Sequence, residues 1–371
     1  FPPRAPARGI QGCFLMKVLF IVPYPTEGAS NRYRVEQFFP FLKEKGIEYK
    51  LRPFISSNYF KIRYQKGNLV KKFLYFVSCL LKRLNDVVIR IWFYDLVFIH
   101  IEVFPFGNAW SEIFFAKFNK RFIFDFEDAI YLNRIDSKGK LLNWIKCPKK
   151  FFNTVGLAER VIVCNNYLTN FLTPYNKNSV VIPTSINTNI FIPTKKNNKI
   201  PVIGWIGSHS TLFCLLSISD VFKRLSKNYE FILKIIGGGE NVVMPGVKVI
   251  AEKWSLKKEV ENFQNLDIGV YPLPDDEWSL AKTPFKTIQY MSVGVPCVAS
   301  SVGGNKDIIQ DRINGFLVNS EDEWLCKLEL LLSDEVLREK IGKEGRKIVK
   351  EKYSLQVNAP KFIETLTSVG K

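Results

Sequence analysis

Histidine is almost missing from this chain of 371 residues, with only His100 and His209 present. Its seven cysteines (Cys13, Cys79, Cys147, Cys164, Cys214, Cys297 and Cys326) form no C-x-x-C pair and sit beside no histidine-rich segment. That argues against a disulfide scaffold and against a zinc site, and for a reducing compartment. No stretch offers 18 apolar residues free of charge, so no transmembrane helix is expected. The first fifteen residues, FPPRAPARGIQGCFL, carry prolines and arginines without periodicity and lack the apolar core of a signal peptide. Residues 1–15 therefore read as an unstructured leader or an expression remnant. The expectation is a soluble or peripheral protein of the cytoplasm.

What is present is length and positive charge. A chain of 371 residues exceeds the usual ceiling for one hydrophobic core, and an apolar content of 47% supplies two. The net charge of +18 is unevenly placed: residues 1–190 hold 28 Lys and Arg against 13 Asp and Glu, and residues 191–371 hold 25 against 22. A basic partner surface is thus a property of the N-terminal half.

After Met16, KVLFIV is a short apolar run ended by PYPTEGAS, and RVEQFFPFLKEKG reads as an amphipathic helix closed by Gly46. Apolar runs recur at 95–102, 121–126, 160–165 and 179–183, each followed by a loop or helical stretch. This alternation predicts a doubly wound α/β domain. The polar stretch TKKNNKIP (194–201) ends in proline and suits a linker. The pattern then restarts with PVIGWIG (201–207), a helix over 211–226, FILKIIGGG (231–239), VKVI (247–250), a helix over 255–264, DIGVYPL (267–273), a helix over 285–292 and PCVAS (296–300). The expected organisation is a Rossmann-like domain over 16–193, a second over 201–350, and a C-terminal helix over 351–371 that crosses back to the first. Ligands of such a pair are expected at the carboxyl-end loops facing a central cleft.

Three glycines, Gly237, Gly238 and Gly239, directly follow a strand, where missing side chains let the backbone approach a phosphate or a base. A Rossmann dehydrogenase would open a helix with G-x-G-x-x-G; here Glu240, Asn241 and a turn at Pro245 follow instead. A tight turn without ligand stays open as the plainer reading. The richest block is KTPFKTIQYMSVGVPCVASSVGGNKDII (282–309). Thr283 and Pro284 start a helix, so the amides of Phe285 to Thr287 are free donors at its positive end, and Lys282 and Lys286 add charge there. A diphosphate is the natural occupant; a pair of solvated surface lysines is the alternative.

At this point the sequence resembles the retaining glycosyltransferases called group 1, or family 4, whose fold is the two-Rossmann architecture GT-B. The resemblance runs from residue 16 to about 365 and is carried by MKVLFIVPYP with the Gly28 loop, IGWIGSHST (203–211), IIGGGE (235–240), DIGVYPL, FKTIQYMSVGVPCVASSVGG (285–304) and INGFLV (313–318). It implies an N-terminal acceptor domain and a C-terminal nucleotide-sugar donor domain. The donor diphosphate would lie on Gly207 and Ser208 and the helix near Lys282, with the base near Gly237 to Glu240. The loop from Gly28 through Ser30 and Arg32 to Arg34 would face the diphosphate across the cleft. Most members of this family carry an arginine and a lysine after the glycine matching Gly207, and two glutamates eight residues apart. Here Ser208 and Phe213 stand at the basic positions, and Ala281 and Gln289 at the acidic ones. Lys286 becomes the candidate cation for the leaving phosphate, Thr287 a further donor contact, and Gln289 a partner for a ribose or sugar hydroxyl.

In the first domain DFEDAIYLNR (125–134) places Asp125, Glu127 and Asp128 at a strand exit, where carboxylates orient hydroxyls or act as a base. A helix N-cap is the competing role, and Asp128 is the favoured catalytic candidate. HIEVFP (100–105) gives His100 and Glu102 at another strand exit; a packed histidine suits His100, and Glu102 is the better candidate base. Arg32 and Arg34, two apart on an extended stretch, would share one face toward an anion.

Residues 59–90 carry eight basic side chains (Lys61, Arg63, Lys66, Lys71, Lys72, Lys82, Arg83, Arg90) and one acid, Asp86. Leu69, Phe73, Phe76, Val77, Leu80 and Leu84 recur among them at helical spacing. A basic amphipathic helix of this kind reads as a membrane-surface element for anionic lipid; a core stripe with a solvated lysine edge is the alternative. Nucleic acid is not an expected partner, because the aromatics fall on the apolar stripe and no nucleic-acid motif accompanies the charge.

The expected function is transfer of a sugar from a nucleoside-diphosphate sugar to a carbohydrate or lipid-linked hydroxyl. The resemblance adds retention and a place in cell-surface polysaccharide or glycolipid synthesis. No cofactor and no metal are expected, the nucleotide-sugar being a substrate. The alternatives are a nucleotide-sugar epimerase or hydrolase on the same fold, and an inactive donor-binding scaffold.

Overall fold

The computed structural model describes residues 16–132 and 149–370, apart from 64, 66, 196 and 197. The proposed leader 1–15, Lys66 and the end of the 125–134 motif lie outside the described residues.

The apolar runs become parallel strands buried on both faces, as strands covered by helices on either side must be. The first sheet comprises β1 (Met16–Val22), β2 (Ile47–Pro53), β3 (Leu96–His100), β4 (Phe122–Asp125), β5 (Arg160–Val163) and β6 (Ser179–Val181), in the order β2-β1-β3-β4-β5-β6. The second comprises β7 (Val202–Ile206), β8 (Ile232–Ile236), β9 (Val249–Glu252), β10 (Ile268–Tyr271), β11 (Cys297–Ser300) and β12 (Phe316–Val318), in the order β12-β11-β10-β7-β8-β9. Register is parallel throughout the described pairs, with Val18 opposite Leu96 in the first sheet and Gly269 opposite Cys297 in the second.

Each sheet reverses its order of growth once. The chain leaves β1 toward β2 and returns to β3 on the other side; it leaves β7 toward β8 and returns to β10 on the other side. Loops diverge at such a switch point and leave a crevice at the carboxyl ends of the strands. The loops following β1, β3, β7 and β10 are therefore placed for ligand before any side chain is considered.

The chain divides into two compact units, the first of residues 16–125, 149–160 and 362–370, the second of residues 126–132 and 161–361. In the first, Phe38 stacks on Phe362 of the C-terminal helix Leu355–Gly370 at 4.2 Å between centroids, and Phe20 packs on Phe98 at 4.9 Å. Burying each such ring contributes about 1.5–3 kcal/mol. In the second, Trp205, Leu215, Phe222, Ile235, Val298 and Leu328 belong to one buried cluster around the sheet.

Two elements depart from expectation. The strand β2, IEYKLRP, alternates half-exposed polar residues on a sheet edge, so its sequence lacks the apolar run that marks the central strands. The helix expected over 211–226 is broken into Leu212–Leu216 and Ser219–Leu225.

Candidate functional site

In the first unit the switch point holds a closed polar network. Ser30, in the short helix Ala29–Arg34, places its Oγ 2.7 Å from His100 Nε2 at the end of β3. His100 Nδ1 lies 2.6 Å from Asp125 Oδ2 at the end of β4, and Arg34 pairs with the other carboxylate oxygen. His100 and Asp125 are fully buried and Arg34 nearly so. Burial opposes ionisation of Asp125, but Arg34 and His100 outweigh it and hold its carboxyl below the usual carboxylate range. An ionised Asp125 accepts a hydrogen bond from His100 Nδ1–H, which leaves Nε2 to accept from the Ser30 hydroxyl.

This geometry corrects two sequence-based expectations. The segment from Ala29 to Arg34 is helical, so residues two apart point to different sides. Arg32 donates to the carbonyls of Thr26 and Glu27 while Arg34 turns inward to Asp125. Asp125, with both oxygens engaged, does not present itself to a ligand.

Immediately after His100, Ile101 adopts φ 66°, a conformation a β-branched residue enters only at a cost of about 1–3 kcal/mol. The turn separates His100, in the network, from Glu102, which lines a cavity of about 170 Å³ with Tyr24, Phe54, Tyr59, Arg63 and Phe76. Burial pushes the Glu102 carboxyl up, against the opposing effect of Lys150 at 3.7 Å. A carboxyl so raised has the character of a general acid or base.

In the second unit the switch point is built from glycine and lysine. A side chain at Gly237, whose φ is 84°, would strike the Gly207 carbonyl at 2.2 Å, so the exits of β7 and β8 touch backbone to backbone. Beside them a cavity of about 460 Å³ is lined by His209, Gly237, Gly239, Glu240, Lys253 and Trp254. Gly238 is packed beneath, its carbonyl 3.1 Å from His209 Nδ1. Ser208 is taken up locally: its hydroxyl lies 2.8 Å from Ser210 Oγ, and its N–H donates to Thr211 Oγ1 at 3.2 Å.

The lysine block forms the helix Phe285–Ser292. Tyr290 fixes it to β7, its hydroxyl accepting from Ile206 N–H at 3.1 Å and donating to the Gly204 carbonyl at 3.2 Å. The helix start rests on the Gly303–Gly304 loop, where a side chain at Gly303 would meet the Ser279 carbonyl at 2.4 Å. Lys286 Nζ donates to Gln289 Oε1 at 2.8 Å. Lys282 Nζ lies 4.0 Å over the Trp278 ring and 3.8 Å from Asp128, whose Oδ1 also accepts from Thr283 N–H at 3.4 Å. Asp128, at φ 63°, is thereby brought to the lysines. The Thr287 side chain is fully buried, its hydroxyl donating to Asn305 at 2.8 Å, so the donor contact expected of this residue falls to its backbone amide. Two polar atoms, Thr283 Oγ1 just ahead of the helix and Gln289 Nε2 one turn into it, are buried without a hydrogen-bond partner among the described residues. Orphans of this kind cost about 1–3 kcal/mol each and call for an explanation.

The family model described as "Glycosyl transferases group 1" matches residues 200–334. This part of the second unit is similar to a group 1 glycosyltransferase domain. The chain is 28% identical over 171 residues to the capsular polysaccharide biosynthesis glycosyltransferase CapM of Staphylococcus aureus, which covers 42% of this chain and 43% of that protein. The chain thus matches under half the length of this curated relative. Among solved structures, a glycosyltransferase from Rickettsia africae superposes with a TM-score of 0.69 at 17% identity, covering 96% of this chain and 99% of that one. Alr3699/HepE of Anabaena, solved with UDP and glucose, gives a TM-score of 0.60 at 14% identity, covering 95% and 100%. The two-sheet architecture is the GT-B fold of these glycosyltransferases.

Trp254 escaped sequence reasoning, although its signal was present: a lone tryptophan in AEKWSL directly after β9, facing the glycines that end β8.

Proposed function

We propose that the chain transfers a glycosyl group, with retention, from a nucleoside-diphosphate sugar to a carbohydrate or lipid-linked hydroxyl acceptor. The observation that carries this is the opening of the helix Phe285–Ser292 with the residues before it, a stretch that holds Lys282, Lys286 and two orphaned polar atoms, Thr283 Oγ1 and Gln289 Nε2. A departing diphosphate would draw on both lysines and on the amides of Phe285 to Thr287, charge aimed where charge develops. Gln289 Nε2 donates to a ribose or sugar hydroxyl, and Thr283 supplies a further polar contact. The nucleobase lies against Trp254 between Gly237 and Glu240. Crystals of HepE with UDP and glucose support a uridine donor for this fold.

Asp128 balances Lys282 and is the proposed catalytic carboxylate of the second unit; Glu102 is the proposed acid or base for the acceptor. The likeness to CapM, a capsular polysaccharide biosynthesis glycosyltransferase, favours a role in polysaccharide synthesis. Turnover of UDP-sugars by Lys286→Ala tests the reading. The expected loss in kcat/KM is about 10²–10³-fold, and an unchanged value contradicts it. Rapid donor consumption without any acceptor would point instead to a hydrolase or epimerase.

A further inference from the structure

The helix Leu69–Val88 and the turn Arg90–Phe93 that follows it carry their polarity inside out. Arg83 and Asp86 are buried. Arg83 donates to the carbonyls of Val22 and Arg52 at 2.9 and 3.0 Å, while Asp86 is paired with Arg52 at 2.7 Å and Arg90 at 3.3 Å. On the outside stand Leu69, Phe73, Leu74, Leu81, Val88 and Phe93, each between 51% and 77% exposed. The stripe expected from sequence spacing is split: Phe76 turns inward against Phe54, and Phe73 faces out. A helix normally turns its leucines in and its charges out. Contiguous exposed apolar surface of this kind marks a docking face.

The charge around this face selects its partner. Lys71 and Lys82 are exposed on the same helix and Lys61 on the preceding one, placed for their stems to lie along apolar surface with the ammonium groups at its rim. The single acid between residues 57 and 93 is Asp86, which is buried and paired. A second copy of the chain would bring the same lysines and another +18 charges against the first. Among the described residues no helix is long and apolar enough to cross a membrane. At about 1.5 Å per residue this one is long enough to lie in the plane of an interface. Trp92, edge-on to Phe118 at 5.9 Å, adds the aromatic end that interfaces favour.

We propose that the helix Leu69–Val88, with Trp92 and Phe93, seats the first unit on the surface of an anionic lipid bilayer. Apolar side chains enter the acyl boundary while Lys71 and Lys82 meet anionic headgroups. Docking needs no donor and no turnover, so it can fail while the glycosyl-transfer reading stands.

Co-sedimentation of the full chain with vesicles tests the proposal, using phosphatidylcholine alone and phosphatidylcholine mixed with phosphatidylglycerol. The wild type should pellet with the anionic vesicles, release at high salt, and bind the neutral ones at least about tenfold more weakly. The combined Phe73→Ser, Leu74→Ser, Leu81→Ser variant should lose at least about tenfold in partitioning while keeping its melting temperature, because these side chains are already exposed. Failure of the wild type to pellet, or equal pelleting by the variant, overturns the proposal. So does a lipid-free dimer that the same substitutions abolish, since the face would then belong to a second copy.

Discussion

The two switch points hold similar residue types and use them in opposite ways. In the first unit Arg34, His100 and Asp125 bind one another out of reach of solvent, and the half-buried Ser30 closes the network onto His100. In the second, Lys282 and Lys286 stand partly exposed at a helix start, and a separate cavity is walled by glycines and Trp254. Charge at a strand exit is thus not by itself a ligand site. Four groups that satisfy one another leave nothing for a substrate, whereas Gln289 and Thr283 keep buried hydrogen-bonding capacity unspent. The first network should control stability and the second affinity.

The largest effect expected from this contrast is on folding. Asp125→Ala leaves Arg34 buried without its counter-charge and should cost about 3–5 kcal/mol in denaturant unfolding, with nucleotide affinity unchanged where the variant is folded. Because the Asp125 carboxyl titrates below its ordinary range, its contribution is present above about pH 4 and is lost as pH falls through the lowered value. A variant as stable as the wild type at neutral pH would show that the buried network does not carry stability. Trp254→Ala should do the converse, weakening nucleotide binding by about 1–3 kcal/mol in calorimetry while leaving the melting temperature near the wild-type value.

Glu102→Gln is the subtler test. The Glu102 carboxyl is raised by burial, so its ionised form is penalised in the fold. Stability from this residue is complete below about pH 4 and declines as pH rises through the raised value. The glutamine variant should therefore melt higher than the wild type at neutral pH, with the gap closing in acid. A gap that widens in acid would show that Lys150 depends on the charge.

Much of the framework was legible in the sequence because parallel strands buried on both faces read as continuous apolar runs. KVLFIV, RFIF and CVAS became β1, β4 and β11 at nearly the expected bounds. The edge strand β2 was missed because it alternates apolar Ile47, Tyr49 and Leu51 with charged residues, a half-buried strand signal that differs from the continuous apolar runs of the central strands. Lys286 and Gln289, three apart on one helix, were readable as neighbours from spacing alone. Arg34 and Asp125 are 91 positions apart and meet only through the sheet order. Reading Arg32 and Arg34 as extended placed them together, when one helical turn drives them apart.

The proposed glycosyl transfer requires the donor diphosphate to be held at the start of the helix Phe285–Ser292. Calorimetric titration of UDP into the wild-type chain and into Lys286→Ala tests it directly. Saturable binding at one site, weakened about tenfold or more by the substitution, is the predicted result. Equal affinity in the two proteins, or no saturable binding to the wild type, would contradict it.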